Sequence, residues 1–157
     1  MQLCLVQHGA AKTEAEDPQR GLTEKGRRTV ERMAAFLTSL AFSLDRIEHS
    51  EKLRARQTAE ILAAQLQPRE GTVQIPGITP NDDVEPMVAR LAKEEKNIML
   101  VGHLPYLNRL VARLLGLDVN PAVLQFQMGG VVRMDRDDEG QWVVRWVLPP
   151  EVLRERT

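Results

Sequence analysis

Two short apolar runs, Leu3-Cys4-Leu5-Val6 and Ile98-Met99-Leu100-Val101, each end abruptly at a turn that carries a histidine. The first runs into Gln7-His8-Gly9 and the second into Gly102-His103-Leu104-Pro105. A strand without polar alternation has to be covered on both faces, which is the situation of a central strand in a parallel sheet flanked by helices. The run from Asn97 to Gly102 is the clearer of the two.

Helical periodicity fills the intervals. Thr23 is a good N-cap, Glu24 suits the first turn, and Val30, Met33, Ala34 and Leu37 then fall on one face of a helix running to about Leu40. Gly26 costs that helix about 1 kcal/mol relative to Ala. Residues 9–22 read as a loop. Leu44 to Glu48 and Thr72 to Ile75 are expected strands, with a helix from Lys52 to Leu66 between them. Asp82 or Asp83 is expected to cap a short helix striped by Val84, Met87, Val88 and Leu91, with Pro86 in its first turn. A helix carrying Leu107, Leu110, Val111 and Leu114 follows His103, and Gly116 ends it.

Beyond that point the pattern becomes three expected strands, Val123–Gln127, Val131–Arg136 and Trp142–Val147. The last two are joined as a hairpin through Asp137-Asp138-Glu139-Gly140. Trp142 and Trp146, four apart, are expected on one face as packing residues. The whole reads as one α/β domain over residues 1–157, with a mainly parallel sheet, an antiparallel edge and a tail at 149–157 free to fray.

Composition removes several function classes. The 21 Lys and Arg against 22 Asp and Glu leave a formal charge of −1, so no electrostatic footprint for nucleic acid or an anionic membrane follows. No run approaches the ~18–20 apolar residues of a membrane span. A single cysteine and an N-terminus without a basic, long-apolar leader point to a reducing, cytoplasmic setting.

Chemistry in such sheets gathers outside the carboxyl ends of the strands. His8 sits at one such end, and Gly9 beside it permits close backbone approach. His103 sits at another, directly before a helix whose N–H groups, from Leu104 onward, can hold an anion. Two histidines in matching places make a phosphate pocket. The segments Arg20-Gly21-Leu22-Thr23 and Ser50-Glu51-Lys52-Leu53-Arg54-Ala55-Arg56-Gln57-Thr58 complete a four-part order and spacing.

With those four segments in that order, the chain resembles the histidine phosphatase superfamily, and within it the small SixA-like phosphohistidine phosphatase branch. The resemblance runs from residue 2 to about 147. It implies a phosphoglycerate mutase-like fold, a three-layer α/β/α arrangement. It also implies that His8 is the nucleophile, forming a transient phosphohistidine that water hydrolyses. Arg54, His103, Arg20 and Leu104 would bind the phosphoryl group together with Gln7, which stands where the family has Arg. The implied substrate is a phosphohistidine on a protein such as a phosphotransfer domain, with phosphate or another oxyanion in the pocket. No cofactor and no metal is called for.

Elementary chemistry agrees with those roles. A transferring phosphoryl group spreads charge over three oxygens, and forked guanidinium donors suit them. A neutral His8 can attack in line if its other ring nitrogen donates to a fixed acceptor, such as a backbone carbonyl.

The chain departs from the family at three places. Gln7 donates hydrogen bonds but carries no charge. Glu51 replaces a common Pro. The region Gly77-Ile78-Thr79-Pro80-Asn81-Asp82-Asp83 lacks the glutamic acid that ester-cleaving relatives use to protonate a leaving oxygen. A P–N bond needs such an acid less, which favours phosphohistidine. Two alternatives stay open: a small-molecule phosphomonoesterase, and a non-catalytic phosphate- or phosphoprotein-binding module suggested by Gln7. His49 is read as a bystander near the rim, Cys4 as a buried strand residue, and Arg27, Arg28 and Arg32 as a solvated helix face.

Overall fold

A computed structural model describes residues 1–41, 43–118 and 122–153. Six strands, β1 (Gln2–Gln7), β2 (Arg46–His49), β3 (Thr72–Gln74), β4 (Ile98–Gly102), β5 (Val131–Arg136) and β6 (Trp142–Leu148), form one sheet in the order β3-β2-β4-β1-β5-β6. The first three pairings in that order are parallel and the last two antiparallel. The α/β fold with its antiparallel edge is therefore as the strand and helix periods require.

Four helices cover the two faces. On one side α1 (Glu24–Thr38) and α2 (Leu53–Leu66) pack Val30, Met33, Leu37, Ala59 and Leu62 against Cys4, Val6, Met99 and Val101. On the other, α3 (Glu85–Leu91) and α4 (Tyr106–Leu114) pack Leu91, Leu107 and Leu110 against Leu3, Leu5 and Leu100. All five residues of β4 are buried, which explains the absence of polar alternation there. No helix among the described residues is long and apolar enough to cross a membrane.

Local signals behave as physics asks. Thr23 Oγ1 accepts the N–H of Gly26 and starts α1. Gly26 is more than a weak point: a Cβ there would collide with the Ala10 carbonyl oxygen, so its absence lets α1 approach the chain just beyond His8. Gly116 takes φ 78 at the end of α4. Asp83 accepts the N–H of Glu85, the first residue of α3. Asp82 does not cap that helix; it accepts from the Thr79 N–H and hydroxyl and closes the preceding turn.

Four expectations are corrected. Val123–Gln127 is not a strand: β5 already has β1 and β6 on its two sides, and the segment has no ladder partner. Its Phe126 is instead buried over the α3–α4 core. Trp142 and Trp146 do not share a face. The register slips between Arg133 and Met134, which face Trp146 and Val144, leaving Arg145 as an extra residue. Trp142 therefore packs on the α3–α4 side and Trp146 on the α1–α2 side. The tail is tied down as far as Leu153, whose carbonyl accepts from Arg32 and whose side chain packs on the α1–α2 core; residues 154–157 lie outside the described residues. Arg32 is thus not part of a purely solvated face.

One buried charge ties a helix to the sheet. Glu48 on β2 is 1% exposed, and its carboxylate is held by Arg90 of α3 and by Arg46. A buried carboxylate is tolerable only with such partners, and here they bolt α3 to the parallel half of the sheet.

Candidate active site

Because β1 and β4 are adjacent and in register from Leu3 and Ile98 onward, their ends coincide: Gln7 pairs with Gly102, and the residues after them emerge together. The His8 N–H donates to the Gly102 carbonyl, and the rings of His8 and His103 lie 5.1 Å apart. Parallel pairing is thus what brings two histidines 95 positions apart in sequence to one point.

His8 is wired for one tautomer. Its Nδ1 is 2.7 Å from the Gly9 carbonyl oxygen, which can only accept. Nδ1 therefore carries the proton, and Nε2 of the neutral ring keeps its lone pair. Burial pushes this ring down to about 4, against the pull of the Gly9 hydrogen bond; the charges of Arg54 and Arg20 push the same way as burial. His103, 1% exposed, is pushed down to about 3, by burial first and then by His8, Arg54, Lys52 and Arg20. Its Nε2 meets the Ser50 hydroxyl at 2.6 Å, while its Nδ1 is buried without a protein partner.

Both rings should stay neutral in an NMR titration from about pH 8 down to about pH 5. The sign for stability follows. Unfolded histidines take up protons below their ordinary 6.5, whereas the folded rings wait until about 4 and 3. The fold is expected to lose stability as the pH falls through that interval. A His8 or His103 ring proton inflecting near 6.5 would contradict the burial argument.

The cations arrive from one helix and one loop. Arg54, in the first turn of α2, is half-buried; burial and the charge of Arg20 hold it below the usual guanidinium value, and its Nε is buried with no partner. Arg20 adopts φ 52, a left-handed conformation uncommon for a side-chain-bearing residue. It is held there by its own N–H on the Asp17 carbonyl, by Gly21 N–H on the Asp17 carboxylate at 2.9 Å, and by its Nε on the Lys12 carbonyl at 3.1 Å. A cavity of about 440 Å³ opens beside the histidine pair, lined by Arg20, Lys52, Arg54 and Arg56 with Glu14 and Glu51 on the same wall. It shares Arg20 and Arg54 with the pair, and neither histidine lines it.

Two residues that local sequence reasoning left without a role hold these loops in place. Thr58 Oγ1 accepts the N–H of Gly9 at 3.0 Å, and Gln57 Oε1 accepts that of Leu22 at 2.7 Å. One turn of α2 therefore clamps both the His8 loop and the Arg20 loop. A Gln-Thr pair early in α2 was the available signal.

The other expected members differ in their surroundings. Gln7 has a buried Oε1 with no partner, and its backbone carbonyl accepts from Gly129. Leu104 packs on the α3–α4 core. Past it, Pro105 has no N–H and that of Leu107 is committed to the His103 carbonyl, which narrows the donors available to an anion. Arg56 is more than half exposed and turned to Glu60 at 3.6 Å. His49 is buried, its Nδ1 on the Ser50 carbonyl at 2.8 Å, and does not line the cavity. Burial lifts the Cys4 thiol to about 12. Among the described residues, no three His, Cys, Asp or Glu side chains converge as a metal site.

The family model of the histidine phosphatase superfamily (branch 1) matches residues 3–75. The solved structure of the protein histidine phosphatase SixA complexed with tungstate superposes with a TM-score of 0.87 at 28% identity, over 98% of this chain and 100% of that one. The phosphohistidine phosphatase SixA of Escherichia coli (strain K12) is 28% identical over 155 residues, 96% of this chain and 94% of that protein. This chain belongs to the histidine phosphatase superfamily.

An uncharacterized protein of Picosynechococcus sp. is 38% identical over 113 residues, 67% of each protein. Membership supports phosphatase chemistry, and the sheet order above, with helices on both faces, is the phosphoglycerate mutase-like fold.

Proposed function

We propose that this superfamily member hydrolyses phosphohistidine displayed on a protein, through a phosphorylated His8. The observation that carries the proposal is the hydrogen bond from His8 Nδ1 to the Gly9 carbonyl, which leaves Nε2 as a free nucleophile beside His103, Arg54 and Arg20. In the first half-reaction His8 Nε2 forms a bond to phosphorus as the substrate's P–N bond breaks. The departing imidazole keeps the electron pair, takes a proton from solvent and leaves neutral. The phosphorylated ring retains its Nδ1–H on Gly9. In the second half-reaction water attacks phosphorus, the P–Nε2 electron pair returns to His8, and the water's surplus proton passes to phosphate or solvent.

Arg54, Arg20 and His103 are assigned to the phosphoryl oxygens, where charge-assisted donors count most. Burial keeps both rings neutral near pH 7, which a nucleophile requires. Similarity to SixA supports the phosphohistidine assignment, as does the lack of a glutamic acid over residues 77–83. The open cationic cavity suits a phosphoryl group presented on another protein's surface.

Release of phosphate from a phosphohistidine-bearing phosphotransfer domain, measured beside a small phosphate ester, tests the substrate class. The domain is expected to be dephosphorylated and the ester left almost intact. Cleavage of the ester with the domain untouched would sink this reading.

A further inference from the structure

Ser50 closes β2 and is fully buried at 0% exposure, yet the chemistry above gives it no part. Its surroundings fix it completely. The carbonyl accepts from His49 Nδ1 at 2.8 Å, and Oγ accepts the N–H of Lys52 at 3.3 Å. Its remaining neighbour is His103 Nε2, 2.6 Å away.

A hydroxyl has one hydrogen and two lone pairs. Lys52 occupies a lone pair, and among the described residues Nε2 of His103 is the one acceptor within hydrogen-bond distance of the hydroxyl hydrogen. Were the roles reversed, with Nε2–H donating to Oγ, the buried hydroxyl hydrogen would have no acceptor among the described residues. The lone pair of Nδ1 would be stranded as well, because that atom is buried without a protein partner. Donation by serine satisfies every group except Nδ1–H. That leftover donor belongs to the ring packed beside His8, and a phosphoryl oxygen is the acceptor it fits.

We propose that Ser50 is a positioning residue. Its hydroxyl donates to His103 Nε2, holds neutral His103 in its Nδ1–H tautomer, and thereby presents an N–H rather than a lone pair to the oxygens of the phosphoryl group on His8. The proposal rests on the reading of His8 as phosphoryl acceptor. A lone pair in that place would repel the same oxygens, so the tautomer decides the sign of the interaction. His49, passed over as a bystander, acts one step further out by holding the Ser50 backbone.

The ring nitrogens report the answer directly. In ¹⁵N-labelled wild-type protein near neutral pH, long-range ¹H–¹⁵N correlations are expected to place the His103 proton on Nδ1. In Ser50→Ala the proton should redistribute toward Nε2 while the His8 pattern stays unchanged, and kcat should fall about ten- to a hundredfold. Finding the wild-type proton of His103 on Nε2 would overturn the proposal, and so would a Ser50→Ala enzyme with wild-type kcat. Failure of the underlying reading looks different: wild-type protein would form no phospho-His8 and release no phosphate, and the catalytic role of Ser50 would fall with it.

Discussion

His8→Ala is expected to lower the phosphatase rate by about four orders of magnitude or more, while leaving oxyanion binding largely intact. The size of the loss follows from the two-step chemistry. Without Nε2 no phosphoenzyme forms, and water would have to displace the leaving imidazole directly, with only the electrostatic part of the site to help. That part survives the substitution, because Arg54 and Arg20 come from α2 and the Asp17 turn, and His103 is held by Ser50. Tungstate or phosphate should therefore still bind, which separates a lost nucleophile from a lost fold.

Rapid quench with a labelled phosphodonor gives the complementary reading. Wild-type protein should carry an acid-labile, alkali-stable label on His8, and His8→Ala should carry none. Label on Cys4 or Ser50 would overturn the assignment. The structure argues against both, since Cys4 is buried with its thiol lifted to about 12 and Ser50 is inaccessible.

Much of this arrangement was legible along the chain, because its signals are local. Continuous apolar runs announce strands covered on both faces, Thr23 announces a helix start, and a histidine after each central run marks the strand ends where ligands gather. What stayed hidden depends on partners distant in sequence. Gln57 and Thr58 look like ordinary helix residues until Leu22 and Gly9, 35 and 49 positions away, turn out to donate to them. Val123–Gln127 has strand-forming residues, yet it pairs with no strand and instead sends Phe126 into the α3–α4 core. The tryptophans obey a period of two until an extra residue opposite Arg133 and Met134 moves one of them to the other face. Whether Glu48 would be solvated or buried was likewise decided by Arg90, 42 positions on.

Gln7→Arg is the substitution that divides the surviving hypotheses. The position closes β1, with its carbonyl on Gly129 and its Oε1 buried and unpartnered, so a longer side chain would start from a fixed backbone. If the site lacks one cationic donor, the added guanidinium should raise kcat/KM on the order of ten- to a thousandfold, mirroring losses seen when single transition-state donors are removed. The opposing effect is like charge. Arg20 already acts electrostatically on His8, Arg54 and His103, whereas Arg56 is committed to Glu60 and more than half exposed. Of the two, Arg20 is thus the one to test as a replacement for the family's arginine, and its backbone is held at a φ of 52. In a compensated site, wild-type protein is active, Gln7→Arg brings no gain, and Arg20→Ala is unusually damaging. An inactive wild type revived by Gln7→Arg would instead describe an enzyme that has lost a donor and nothing else. Steady-state kinetics on the wild type, the two variants and their double mutant distinguish these outcomes, because a compensating pair is non-additive. If all four proteins bind oxyanion and none releases phosphate from phosphohistidine or from an ester, catalysis is excluded and the site is a phosphate-binding module.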